Sequence, residues 1–146
     1  MNAVWPYFGD LHQVLPPHWS GIILVLCSVL CGVLIGAERQ FKQKSAGART
    51  LALICVGSTL FTIASILIAG DTADRTRITA QVVTGVGFLG ARAIIRHRGT
   101  IVGLTTGATI WTTSAIGVIV GGWYAAAGLV LTVLVVAVLL AVQWFE

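Results

Sequence analysis

From Gly99 to Phe145 the chain carries no charged side chain over 47 consecutive residues. As one helix this stretch would measure about 70 Å, more than twice the roughly 30 Å hydrocarbon core of a bilayer. It has to turn back once, and Gly121-Gly122 is the evident break. Charge gaps divide the rest of the chain in the same way. Residues 11–37 and Thr50–Gly70 are uncharged, and Ile78–Ile95 is interrupted only by Arg92. Five spans follow, at about 20–37, 50–69, 77–95, 101–120 and 123–144, behind a flank over residues 1–19. Only 10% of the residues are charged and 57% are hydrophobic, whereas a soluble domain has about 25% charged and 45–50% apolar residues. A soluble domain, a disordered tail and a secreted disulfide scaffold are excluded. The expected fold is an all-α membrane protein, a bundle of five transmembrane helices.

Lys and Arg set the orientation. Arg39, Lys42, Lys44, Arg49, Arg96 and Arg98 fall on one side, with Arg92 close by, against Arg75 and Arg77 beside Asp71 and Asp74 on the other. The positive-inside rule places the first set in the cytoplasm, the N-terminus and residues 70–76 outside, and the C-terminus inside. The first span lacks the basic flank and small-residue cleavage site of a signal peptide. Trp5, Tyr7, Trp19, Trp123, Tyr124, Trp144 and Phe145 suit the two interfaces. Trp111 lies in mid-span, where packing inside the bundle is expected.

Membrane helices associate through close backbone approach and interhelical hydrogen bonds. Gly32-x3-Gly36, Gly103-x3-Gly107 and Gly117-x3-Gly121, with Gly85, Gly87 and Gly90 in the third span, point to tight packing. A second reading of Gly85–Gly90 is a locally loosened helix whose carbonyls face a cavity. Polar residues form stripes: Arg77, Gln81, Thr84, Phe88 and Arg92 within an arc of roughly 80° on the third span, and Thr105, Thr109, Thr112 and Thr113 on the fourth. They serve either as bonds to the preceding turn and to neighbouring helices, or as a polar seam between the third and fourth spans.

Four patterns occur in order: Gly36-Ala37-Glu38-Arg39, Ala46-Gly47-Ala48-Arg49-Thr50, the run from Ala80 through Gly85-Val86-Gly87-Phe88-Leu89-Gly90 to Ala91, and Gly103-Leu104-Thr105-Thr106-Gly107-Ala108-Thr109-Ile110-Trp111. Within five spans, over about residues 20–143, this set resembles the transmembrane domain of the MgtC/SapB family. The resemblance implies a bacterial inner-membrane protein linked to magnesium limitation and, in some pathogens, to survival inside host cells. It further implies regulation through other membrane proteins rather than demonstrated magnesium transport. Many relatives continue into a small cytoplasmic domain, whereas this sequence stops at Glu146, and Arg92 stands where the family pattern carries a glycine.

On the expected topology the motifs gather at the cytoplasmic end, with Gln81 deeper along the same seam. The candidate functional cleft is Glu38, Arg39, Arg49, Thr50, Gln81, Thr84, Arg92, Thr105, Thr106 and Thr109. Glu38 is expected to pair with Arg49, or else with Arg39, because a lone charge at the membrane boundary is costly. Magnesium favours six oxygen ligands and usually one or two carboxylates, and one acid among arginines makes a poor cation site. No metal site, cofactor or catalytic residues are expected, since the chain has no nucleophile–base pair, metal motif or nucleotide loop. Cys27, Cys31 and Cys55 read as small packing residues. Arg96–Thr100, before the fourth span, suits anionic lipid headgroups or ordinary positive-inside charge. The expected partners are the bilayer and a second copy or another membrane protein, and no nucleic acid. The leading reading is a non-enzymatic regulator in magnesium or ion homeostasis. The alternative is a small ion transporter or channel using the seam.

Overall fold

A computed structural model describes residues 17–69, 77–97 and 100–142 of the chain. Among the described residues five helices, α1 (Pro17–Phe41), α2 (Ala48–Ala69), α3 (Arg77–Ala93), α4 (Leu104–Gly121) and α5 (Ala125–Val142), form an all-α bundle. One short antiparallel hairpin, β1 (Ile95–His97) and β2 (Thr100–Val102), joins α3 to α4. Four of the helices, all but α3, are long and apolar enough to cross a membrane. The flank over 1–16, the loop over 70–76, Arg98-Gly99 and the terminal Trp144-Phe145 lie outside the described residues. So does the headgroup contact expected of the Arg96–Thr100 side chains.

The hairpin departs from the expected spans. The third helix stops at Ala93 and the fourth begins at Leu104. Pairing Ile95 with Val102 and His97 with Thr100 uses a β-branched run that suits a strand better than a helix end. Gly103 closes the turn at φ 89°, where a side chain would also strike the Ala93 carbonyl. α3 itself runs unbroken through Gly85–Gly90, so the loosened-helix reading does not describe it.

Backbone contact holds the centre together. A Cβ on Gly32 would lie 2.5 Å from Ala52 Cα, and one on Gly36 would meet Ala48. That register makes α1 and α2 an antiparallel pair fitted Gly-x3-Gly onto Ala-x3-Ala. In a bilayer this close approach replaces the hydrophobic drive that folds soluble bundles. α4 lies on another side of α2, and here the contacts advance together: Ser58 meets Ser114, and Thr62 meets Gly121. α2 and α4 are therefore parallel neighbours, and the chain has to cross back between them. α3 makes that return, packing on both. α5 folds back along α4, with Gly128 under Val120, after a turn capped by Gly122 N–H to Val118 O at 2.9 Å.

Candidate functional site

The polar side chains divide into those the bundle uses and those it leaves over. The α2–α4 interface uses its own. Ser58 Oγ and Ser114 Oγ lie 2.7 Å apart in the interior, and Thr59 donates to the Gly117 carbonyl at 2.8 Å. Thr62 returns its hydroxyl to Ser58 O at 2.8 Å. Gly117 and Gly121 allow the approach: a Cβ on Gly117 would collide with the Cys55 carbonyl, and one on Gly121 would lie 2.7 Å from the Thr59 carbonyl. Ser58, Thr59 and Ser114 were not among the expected functional residues. The signal was present in the spacing of Ser58, Thr62 and Ser65, one face of the second span.

The threonines of α4 are also used. Thr109 donates to Thr105 O at 2.7 Å, Thr112 to Ala108 O at 2.9 Å and Thr113 to Thr109 O at 2.8 Å. These bonds to the preceding turn match the first of the two readings of the stripe. The polar seam between α3 and α4 is not what the structure contains. Gly90 and Gly107 meet backbone to backbone there, a Cβ on Gly90 lying 3.3 Å from Gly107 O, and Val82 and Val86 bury the same face of α3. Thr106 and Thr109 are buried, while Thr105 is exposed.

At the junction of α1 with its loop, Glu38 and Arg39 are both buried, with Arg39 Nη1 3.5 Å from Glu38 Oε2. Of the two expected partners Arg39 takes the carboxylate and Arg49 does not. Seating Gly36 on Ala48 leaves Arg49 exposed, where it lines a separate groove.

That groove lies between α2 and α3, with a volume of about 750 Å³. Its α2 wall runs from Arg49 and Thr50 through Leu53 to Gly57 and Phe61, and its α3 wall from Ile78 through Gln81 to Gly85 and Leu89. Ile110 of α4 forms part of its base. Among the described residues Arg49 is the one charged residue on the lining, which is otherwise apolar apart from Thr50, Ser58 and Gln81. Gly57 and Gly85 face open space, with nothing within 4 Å of a built Cβ.

The structure thus brings Arg49, Thr50, Gln81 and Gly85 together, and separates them from Glu38 and Arg39 and from Thr105, Thr106 and Thr109. Gln81, Thr84 and Arg92 are exposed on α3, turned away from α4 and without a side-chain hydrogen bond among the described residues. Phe88 stands 66% exposed beside them. A Cβ built on Gly87, as on Gly85, meets nothing within 4 Å, so neither is a packing glycine among the described residues. Trp111 is 53% exposed rather than packed inside. The buried face of α4 is given to glycines and hydroxyls at close approach to α2, where an indole has no room. Cys27, Cys31 and Cys55 are free thiols, Cys27 Sγ lying 3.7 Å from Ala125 O. Among the described residues no three His, Cys, Asp or Glu side chains are placed to hold a metal ion.

Comparison with known proteins bears on the whole of this arrangement. The model of the MgtC family matches residues 25–146. Protein MgtC of Brucella abortus strain 2308 is 44% identical over 109 residues, 75% of this chain and 45% of the relative. Protein MgtC of Salmonella typhimurium strain LT2 is 45% identical over 100 residues, 68% of this chain and 42% of the relative. The matched stretch is thus under half the length of these relatives. No solved structure matches.

Proposed function

Because the chain belongs to the MgtC family, multi-pass proteins of the bacterial inner membrane, we propose that it is a non-enzymatic regulator linked to magnesium homeostasis that acts by helix contact with other membrane proteins. The observation that carries this reading is the outward face of α3. A glutamine and a threonine in a transmembrane helix normally face a neighbouring helix, yet Gln81 and Thr84 find no partner among the described residues. A second membrane helix would supply one, with Phe88 as an aromatic anchor and Arg92 at the helix end. Conduction is less well supported. The α2–α4 hydroxyls bond within the bundle, the α3–α4 contact is closed by Gly90 on Gly107, and Glu38 lies against Arg39.

In this reading α3 is a fifth span. Its 17 residues rise about 26 Å, and the parallel run of α2 and α4 supports a crossing between them. The Lys/Arg bias then orients residues 38–49 toward the cytoplasm and 70–76 outside. Impermeant thiol reagent applied from outside, in a background without the native cysteines, should label a cysteine at position 72 and spare one at 43. The reverse pattern would overturn the orientation. The contact itself is tested with a photo-crosslinking residue at position 88 in cells limited for magnesium. An adduct with another membrane protein is expected there, and none from Val133, which is as exposed on α5 (65%). Equal capture at both positions, or at neither, would remove the basis for the reading.

A further inference from the structure

The open groove between α2 and α3 goes beyond the helix-contact reading, and its chemistry suits an amphiphile. We propose that it is a lipid site, holding one acyl chain of an anionic phospholipid whose phosphate sits at Arg49 and Thr50. Three observations carry the assignment. The first is charge: among the described residues the one charged side chain on the lining is Arg49, at one end, with the Thr50 hydroxyl beside it and no carboxylate along the walls. A phosphate is complementary to that end, since arginine binds it through paired N–H donors.

The second is length. From Arg49 to Phe61 the groove follows twelve residue steps of α2, about 18 Å of helix. One leaflet of a ~30 Å hydrocarbon core is of similar depth. The third is how the space is kept. The volume of about 750 Å³ falls in the ~300–1,000 Å³ range of small-ligand clefts, which are likewise apolar with a few placed polar groups. Gly57 on one wall and Gly85 on the other meet nothing with a built Cβ, so the opening comes from missing side chains rather than from helices splayed by bulky ones. The proposed orientation enters only in naming the cytoplasmic leaflet as the lipid's source.

Native mass spectrometry of the purified chain, titrated with dioleoyl phosphatidylglycerol or dioleoyl phosphatidylcholine, tests the proposal. The expected result is a preference for phosphatidylglycerol that falls about fivefold in Arg49→Gln, the contribution typical of one basic residue at a charged membrane surface. It should not change in Lys44→Gln, whose side chain is exposed on the α1–α2 loop and does not line the groove. Gly57→Leu, which fills the groove, should reduce adducts of both lipids. Gly85→Leu repeats that test from the opposite wall should Gly57→Leu fail to fold. Thr84→Val, at a position on α3 that does not line the groove, should leave lipid adducts unchanged while reducing capture from position 88, so the lipid site and the helix contact fail separately. Equal binding of the two lipids, a preference that survives Arg49→Gln, a preference that survives a folded groove-filling variant, or a protein rather than lipid adduct from a crosslinker at position 57 would each overturn it.

Discussion

Besides the close pair it makes with α1, α2 meets α4 and α3, and it treats these two differently. Toward α4 it presents Cys55, Ser58, Thr59 and Thr62, and α4 answers with Ser114, Gly117 and Gly121, so that backbones approach until a single added Cβ would collide. Toward α3 it presents Leu53, Gly57 and Phe61, and α3 answers with Gln81 and Gly85 across a groove of about 750 Å³. Both sides carry glycine on the facing helices. On one the glycine admits a neighbour's backbone, and on the other it leaves space. On the α4 side hydroxyls accompany the glycines, and van der Waals contact and hydrogen bonds close the interface together.

The contrast breaks most visibly at Gly117. Gly117→Leu should destabilise the bundle by about 3 kcal/mol or more, since its side chain meets the Cys55 carbonyl and Ser58 Cβ, neither of which is a flexible tip. Thermal unfolding of the detergent-solubilised protein gives the measurement, and a loss below 1 kcal/mol would mean the helices can separate at little cost. A double-mutant cycle on Ser58→Ala and Ser114→Ala, read in the same way, should return a coupling of about 0.6 kcal/mol, with ~1.7 as a ceiling. Gly57→Ala and Gly85→Ala belong to the open side. They should leave stability unchanged or raise it by about 0.5 kcal/mol, because alanine favours the helix and meets no neighbour. Arg92→Gly is expected to have the smallest effect, within about 0.5 kcal/mol of the parent as for an exposed position, yet to lower capture from position 88. A large loss of stability with capture intact would make Arg92 an anchor for α3.

Charge gaps located the first three helices and bounded the last two, because a charge inside a span is costly and most interruptions between gaps therefore fall near turns. Gly121-Gly122 marked the last turn for a related reason, two glycines in succession being a poor continuation of a helix. Faces were harder to read. Gly32-x3-Gly36 and Gly117-x3-Gly121 both proved to be contacts, while a Cβ on Gly85 or Gly87, read the same way, meets none of the described residues within 4 Å. Periodicity names the residues that share a face but not which helix lies opposite. The polar stripe of α3 was visible for the same reason, and its direction was not: Val82, Val86 and Gly90 take the side toward α4 and turn Gln81, Thr84 and Arg92 away. Trp111 was misplaced for another reason, since its mid-span position suggested burial where close helix approach excludes it. Of the expected cleft, Arg49, Thr50 and Gln81 do share one groove, and Glu38 with Arg39 forms a separate buried pair.

Whether this bundle works by contact or by conduction is decided most directly by magnesium flux into proteoliposomes reconstituted with the purified chain, followed with an entrapped fluorescent magnesium indicator. Contact predicts uptake no faster than in protein-free vesicles, for the parent and for Gly57→Leu alike. Saturable uptake by the parent that Gly57→Leu abolishes would contradict it and make the α2–α3 groove a permeation path.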